Sequence, residues 1–371
     1  MAEQVSPFTR IRRRLRRVRR QVRDRIPYES GNYPYVTARV KAKKAALYPP
    51  EAYPRLLQME IPQIARFLGE GPYREQLLAL GAKARGVDLV ERATSDHLAR
   101  VFTQIIDLSE GRLKAMVSMY LDRWDVANIK TILRGKLYGA GEEEILQDLV
   151  AAGSLDAEYL EDLVERETID EVFAALEGTI YAEAREQMGE GFDPAKDMAA
   201  YEDALSHVYY RNLLASIQPR TEPSRYFLRF VRKEIDILNL KTLLRAWRAK
   251  AVFDRPIFLD GGLELTPAEL EGMVVLEAAA LQARLADTSL YEDAGAAIRE
   301  VQETGVAAVE RALEKLHLKE ASRSSHLHPL SVLPVLDFLA SKTREVENIR
   351  IIARGKEHGL PPERIRELLV I

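Results

Sequence analysis

The segment DVANIKTILR, Asp125 to Arg134, returns as DILNLKTLLR at Asp236 to Arg245 and as EVENIRIIAR at Glu345 to Arg354. Its asparagines, Asn128, Asn239 and Asn348, stand 111 and 109 residues apart. A second marker keeps the same beat: GEGPY ends at Tyr73, LEGTIY at Tyr181 and LADTSLY at Tyr291. These tyrosines are 108 and 110 residues apart, and they precede the asparagines by 55, 58 and 57. Two independent markers in register three times predict one unit built three times. The expected units are 28–165, 166–275 and 276–371, after an N-terminal extension at 1–27.

Each unit reads as helical. Leu146, Leu149 and Val150 follow at helical steps behind Glu142, Glu143 and Glu144, three acids suited to the positive end of a helix dipole. Gly359 suits a helix end and Pro361 with Pro362 a helix start. Glycine and proline fall mostly between periodic segments, and alternating strand patterns are scarce. One extended candidate is the stretch around Ile257 to Leu259. The expected class is all-α.

On a helix, Val126, Ile129, Ile132 and Leu133 share one face, as do Ile237, Leu240, Leu243 and Leu244. In the third copy Val346, Ile349 and Ile352 match, and Ala353 replaces the leucine. This is a core-facing stripe. Off it stand Lys130 and Arg134, Lys241 and Arg245, Arg350 and Arg354, each pair four residues apart. Asp125, Asp236 and Glu345 open the three copies, so acid comes early and cation late, in agreement with a helix dipole. Asparagine is a mediocre helix-interior residue because its amide competes for backbone hydrogen bonds. Its recurrence at one position predicts a shared task, tying the helix to a neighbouring backbone; ligand binding is the sharper alternative. The cations read as a solvated face, or as contacts to a partner or between units.

No catalytic, cofactor-binding or metal residue is assigned. Gly135-Lys136 is followed by Leu137 and Gly355-Lys356 by Glu357, so neither is a phosphate-binding loop. Patterns of the GxSxG and HExxH type are missing. With no cysteine, thiolate metal sites and a cysteine nucleophile are excluded. His326 and His328 lie close in SSHLHP, expected to be a surface loop, and two ligands alone are too few for a metal. Tyr209 and Tyr210 beside His207 read as helix packing. No apolar run approaches the ~20 residues that span a bilayer, and the N-terminus lacks the apolar core of a secretory signal.

The net charge of −3 hides an asymmetry. Residues 1–25 carry ten arginines against Glu3 and Asp24, a balance of +8, which leaves −11 for the rest. In this head Ile11, Leu15, Val18, Val22 and Ile26 recur at steps of one helix face. A membrane-surface helix, a nucleic-acid arm, an organelle transit peptide and a solvated tail that docks on an acidic partner all fit such a segment. Phe8 is its one aromatic for base stacking, and the acidic body would repel phosphates.

Several stretches resemble a known family, the C subunits of archaeal-type (A-type) and bacterial V-type ATP synthases, related to the d subunits of eukaryotic V-ATPases. YPYVTARVKAKKAAL at Tyr33 to Leu47 resembles its opening, and WDVANIKTILRGK and EIDILNLKTLLR resemble its D/N-x-x-N-L-[KR]-x-[IL]-L-R helices. FLDGGLELTPAEL resembles its Gly-Gly turn, and EVENIRIIARGKEHGLPPERIRELLVI its ending. The resemblance covers nearly all of the chain from Tyr35 on and leaves residues 1–27 outside. It implies three similar helical domains in a funnel-like pseudo-threefold arrangement. It also implies a non-catalytic, cofactor-free rotor component, peripheral at the cytoplasmic face of the cell membrane. Such a component links the shaft formed by the D and F central-stalk subunits to the membrane proteolipid ring, transmits torque, and has no nucleic-acid partner. The rival readings are a free helical-repeat binding module, acting on nucleic acid through the basic head, and an enzyme whose site carries no recognisable motif.

Overall fold

The computed structural model describes residues 30–251, 253, 255–299, 301 and 305–371. The Arg-rich segment read at 1–27 lies outside them. The described helices begin with α1 (Tyr33–Ala45), α2 (Ala52–Leu57), α3 (Ile61–Gly69), α4 (Arg74–Leu80), α5 (Gly86–Leu108) and α6 (Gly111–Leu121). They continue through α7 (Arg123–Tyr138), α8 (Glu142–Asp148), α9 (Ala157–Glu165), α10 (Ile169–Leu176), α11 (Ala182–Gln187) and α12 (Pro194–Ser216). The remainder are α13 (Glu222–Ala249), α14 (Pro267–Val274), α15 (Ala278–Ala286), α16 (Ser289–Arg299), α17 (Val306–Leu327), α18 (Leu333–Glu357) and α19 (Pro362–Leu368). The fold is all-α, and among the described residues there is no strand. Ile257 to Leu259, the extended candidate, is loop: its backbone is engaged by a side-chain amide instead of a neighbouring strand.

The chain forms two compact units. One contains Phe102–Gln218; the other joins Asn32–Val101 with Pro219–Ile371. In the first, α7 is the hub, packing against α6, α8, α9, α10 and α12. Its stripe of Val126, Ile129, Ile132 and Leu133 is buried, and each fully buried aliphatic side chain of this size contributes roughly 1.5–3 kcal/mol.

In the second unit, α13 packs on α14 and α17, and α18 packs on α17 and α19. Ile237, Leu240, Leu243 and Leu244 join a core with Leu281, Leu285, Val309 and Leu313. The N-terminal helices close round the C-terminal ones: α1 and α3 lie on α18, and α2 lies on α19. Lys44 donates to both oxygens of the buried Asp337 at 2.6 and 2.7 Å, and Thr37 donates to the Pro329 carbonyl at 2.8 Å.

Local chemistry sets the element ends. Thr168 and Glu171 form a reciprocal capping box on α10, as do Thr266 and Glu269 on α14. Helices α7, α13 and α18 carry the repeated motif, and all three finish alike. The residue eleven past the asparagine is left-handed: Gly139 at φ 73°, Lys250 at φ 48° and Gly359 at φ 67°. The next amide reaches back five residues, Ala140 to Gly135 at 2.8 Å, Ala251 to Ala246 at 3.0 Å and Leu360 to Gly355 at 2.8 Å. This is the Schellman ending that stops a helix at a fixed residue.

Candidate functional site

The motif residues gather into three anchors, one on each of α7, α13 and α18. At the centre of each, the asparagine amide brackets one residue of the following loop. Asn128 donates to the Val150 carbonyl at 2.8 Å and accepts from the Val150 amide at 2.9 Å. Asn239 does the same to Leu259, at 2.8 Å both ways. Asn348 does so to Val370, at 2.8 and 3.1 Å. All three asparagines are buried. The side chain thus stands in for a strand partner where no strand exists, satisfying an amide and a carbonyl that burial would otherwise penalise.

One turn earlier, the acid takes up further backbone amides, those of the same loop in the first two copies. Asp125 accepts from the amides of Ser154 and Leu155 at 2.9 and 3.2 Å. Asp236 accepts from those of Leu263, Glu264 and Leu265 at 2.8, 2.9 and 3.2 Å. Glu345 accepts from the Tyr48 amide at 2.6 Å. The loop backbone comes so near the acids of the first two copies that a Cβ on Gly153 or Gly262 would collide with the carboxylate.

The tyrosines join the anchors in an order that spacing did not suggest. Tyr181, fully buried, donates to Asp125 at 2.9 Å, 56 residues before it, instead of serving Asn239 ahead of it. Tyr73 donates to Glu345 at 2.6 Å, 272 residues away. Tyr291 makes no such bond; its hydroxyl accepts from Arg299 at 3.2 Å, and Asp236 relies on its three amides. Late in each motif helix the cations reach another long helix. Arg134 pairs with Glu202 of α12, Arg245 with Glu310 of α17, and Arg354 with Glu91 of α5. Lys130 donates to Ser206 at 2.8 Å and Lys241 pairs with Glu314 at 2.9 Å. The first pairing crosses the expected boundary at 165/166, the second crosses 275/276, and the third joins the last expected unit to the first.

The position three before the acid differs between copies and sets the electrostatics. In the first it is Asp122, buried beside Asp125 and accepting from the Ser154 hydroxyl at 2.5 Å. Burial pushes the Asp122 carboxyl up to about 7, against the pull of its Ser154 bonds. Burial and then the Asp122 charge hold Asp125 well above the usual carboxylate range. In the third copy the position is Lys342, which donates to Glu345 at 2.6 Å and to the Tyr73 hydroxyl at 3.0 Å. Beside it, burial and then the charges of Lys342, Lys43 and Arg100 push His97 down to about 3. In the second copy it is Lys233, turned to Glu320 at 3.0 Å.

These arrangements do structural chemistry. The asparagines and acids are buried and bonded chiefly to loop backbone. Among the described residues no group of three or more His, Cys, Asp or Glu could hold a metal ion. His326 lies in the last turn of α17, bonded to the Ser322 carbonyl at 2.7 Å, and not in a loop; His328 stacks on Tyr226 at 3.9 Å. Tyr209 donates to the Tyr120 carbonyl at 2.9 Å. Sequence reasoning passed over Asp122, Lys342, Gly153 and Gly262, although the Gly-Gly turn after the second motif was a usable signal for the last of these.

Fold and anchors define an all-α protein in which recurrent buried residues on three helices fasten loop backbone. The chain belongs to the ATP synthase (C/AC39) subunit family, whose pattern it matches over residues 36–368. It is 39% identical over 345 residues to the C subunit of the A-type ATP synthase of Methanococcoides burtonii, covering 92% of this chain and 95% of that one. It is 36% identical to the corresponding C subunit of Halorubrum lacusprofundi, over 92% of this chain and 98% of that one. The same name belongs to a relative from Archaeoglobus fulgidus, 36% identical over 91% and 96% of the two chains.

Proposed function

We propose that this chain is the non-catalytic coupling component of a rotary A-type ATP synthase. It joins the shaft formed by the D and F central-stalk subunits to the membrane proteolipid ring and passes torque between them. The observation that carries this reading is the family match across nearly the whole chain. Physical support comes from the anchors. A torque adaptor must transmit load without yielding, and close-packed helices whose loops are pinned by buried hydrogen bonds resist deformation. No described helix is long and apolar enough to cross a membrane, which suits a peripheral place at the cytoplasmic face.

The reading extends to the modules. Each begins at a motif helix and ends at the long helix that its arginine reaches: α7 with α12, α13 with α17, and α18 with α5. The third is completed by residues from the start of the chain, and three such modules around a pseudo-threefold axis belong to this proposal.

The test is assembly. The purified chain is expected to bind the D–F pair, to co-purify with the intact membrane complex at unit stoichiometry, and to turn over no ATP alone. Enzyme-like ATP hydrolysis by the pure chain, or failure to bind D–F, would overturn it.

A further inference from the structure

The charge of this chain has two poles. Residues 142–171 carry twelve carboxylates against Arg166 alone, a balance of −11. That equals the whole negative charge of residues 26–371, so the rest of the body is neutral and the Arg-rich head, with +8 over residues 1–25, has one acidic counterpart.

The acidic stretch makes α8, α9 and the start of α10. In the first unit α8 packs on α9, and all three helices pack on α7. Glu144, Glu161, Glu165 and Asp170 are exposed, and among the described residues none of them makes a hydrogen bond or an ion pair. The cations at this surface are committed: Arg166 pairs with Asp162 at 2.6 Å, and Lys136 donates to the carbonyls of Val164 and Arg166. Exposed apolar side chains accompany the acids. Among the described residues of 102–218, Tyr138 and Leu146 are the large hydrophobics left exposed, Tyr138 at 81%. Tyr138 closes α7 four residues before α8 begins, and Leu146 lies on α8 itself.

Carboxylates without cations beside exposed apolar side chains fit a partner that is basic on one side and apolar on the other. The head is such a segment: ten arginines, with Ile11, Leu15, Val18, Val22 and Ile26 set on one helix face by their spacing. It is also tethered to this unit. The backbone at Gly31 runs so close to the start of α6 that a Cβ there would collide with Leu113, and Arg25 stands only six positions earlier.

We propose that the Arg-rich head closes in cis on the α8–α10 surface, its guanidinium groups against the exposed carboxylates and its apolar stripe against Tyr138 and Leu146. Single exposed ion pairs are weak, and salt screens them. The tether offsets that weakness, because it holds the head at an effective concentration on the order of millimolar, where many weak pairs act together. A basic segment of another molecule would have to displace this built-in competitor. The contact needs no other subunit and stands apart from the coupling reading above.

Trypsin reads the contact on the full chain, because cleavage after the head's arginines tracks the fraction of head that is undocked. At low salt, with loss of the N-terminus followed by mass spectrometry, the head is expected to be cut at least about tenfold more slowly than a synthetic peptide of residues 1–27. At about 1 M salt, where charges more than ~3 Å apart are screened, most of that protection is expected to vanish. Glu144→Gln with Glu161→Gln and Glu165→Gln removes three carboxylates without adding a trypsin site, and is expected to abolish most of the protection at low salt. Tyr138→Ser with Leu146→Ser is expected to lower the protection while leaving its salt dependence. All five positions are exposed, so melting curves should stay unchanged. Equal cutting of chain and peptide at low salt would overturn the proposal. Full protection in the triple variant would place the head elsewhere, protection that rises with protein concentration would make a second copy its seat, and protection that needs phosphatidylglycerol vesicles would make it a lipid surface; each of these overturns the proposal too.

Discussion

The asparagine of each anchor carries two hydrogen bonds to one loop residue. Asn128→Ala leaves the Val150 amide buried without a partner, while the Val150 carbonyl keeps the Ala152 amide at 2.8 Å, and one such orphaned group costs about 1–3 kcal/mol. Urea unfolding should therefore show a loss of about 1–3 kcal/mol, and Asn128→Asp should also destabilise, since it keeps the acceptor and removes the donor. A variant within about 0.5 kcal/mol of wild type would mean that the amide is dispensable. Asp122 makes the opposite prediction. Its folded pKa lies above the ordinary 3.8, at about 7, so the fold favours the protonated form. Its stabilisation is complete below about pH 3.8 and is lost as the pH rises towards 7. Asp122→Asn should flatten this dependence and raise the melting temperature above neutrality; the third copy, with Lys342 at that position, shows that the site tolerates a non-acid. An unchanged melting-pH profile in Asp122→Asn would mean that burial does not favour the protonated Asp122 in the fold. The asparagines were legible because that residue is unusual in a helix interior at a fixed repeat; the acids read as marking a helix start, whereas α13 and α18 begin 14 and 12 residues before Asp236 and Glu345. Asp122 was not, since one carboxylate among fifty-seven acids carries no signal until burial singles it out.

At the scale of the element, the motif helices show why a helix stops where it does. Gly139 and Gly359 adopt their left-handed φ at no steric cost, whereas Lys250 holds φ 48° with a side chain in place. Lys250→Gly should therefore stabilise the second copy by about 0.5–1 kcal/mol, the relief of strain exceeding the extra freedom of glycine in the unfolded chain. Lys250→Ala should bring no comparable gain. Equal stability of the glycine and alanine variants in chemical denaturation would mean that the conformation is unstrained. The helical stripes, the start of α8 at Glu142 and the start of α19 at Pro362 were open to reading, because a 3.6-residue period and end signals are local properties. The loops were less so: Leu149 and Val150 read as helical steps although α8 ends at Asp148, Ile257 to Leu259 read as extended but with a strand in view, and Val370 carried no signal. Their extended backbone is held by asparagines 20 or 22 residues earlier, and alternating hydrophobicity cannot report a partner that is a side chain.

For the whole molecule, the contacts of Tyr73 and Tyr181 run against the direction their spacing suggested. Counting forward attached Tyr73 to Asn128 and Tyr181 to Asn239, yet the bonds run backward, Tyr181 to Asp125 and Tyr73 to Glu345. A repeat has no intrinsic starting point, so spacing fixes its period and leaves its phase free. Only contacts between distant residues set the phase, and here they place Tyr48, Tyr73 and Glu91 with α18 near the other end of the chain. The second unit is thus built from two stretches with residues 102–218 between them. Joining them brings 32–101 and 219–371 into one core, and buried bonds such as Lys342 to Glu345 and Tyr73 make partial pairing costly because each leaves a charge exposed to an apolar core. Co-expressed fragments 1–108 and 219–371, with the tag on the second alone, should therefore purify together in roughly equal amounts. Lys342→Met or Glu345→Gln in the second fragment should weaken their association, because either change strands its partner in a buried site. If the tagged fragment came through the column soluble, folded and alone, the C-terminal copy would not need the N-terminal residues, and the backward phase of the repeat would have to be abandoned.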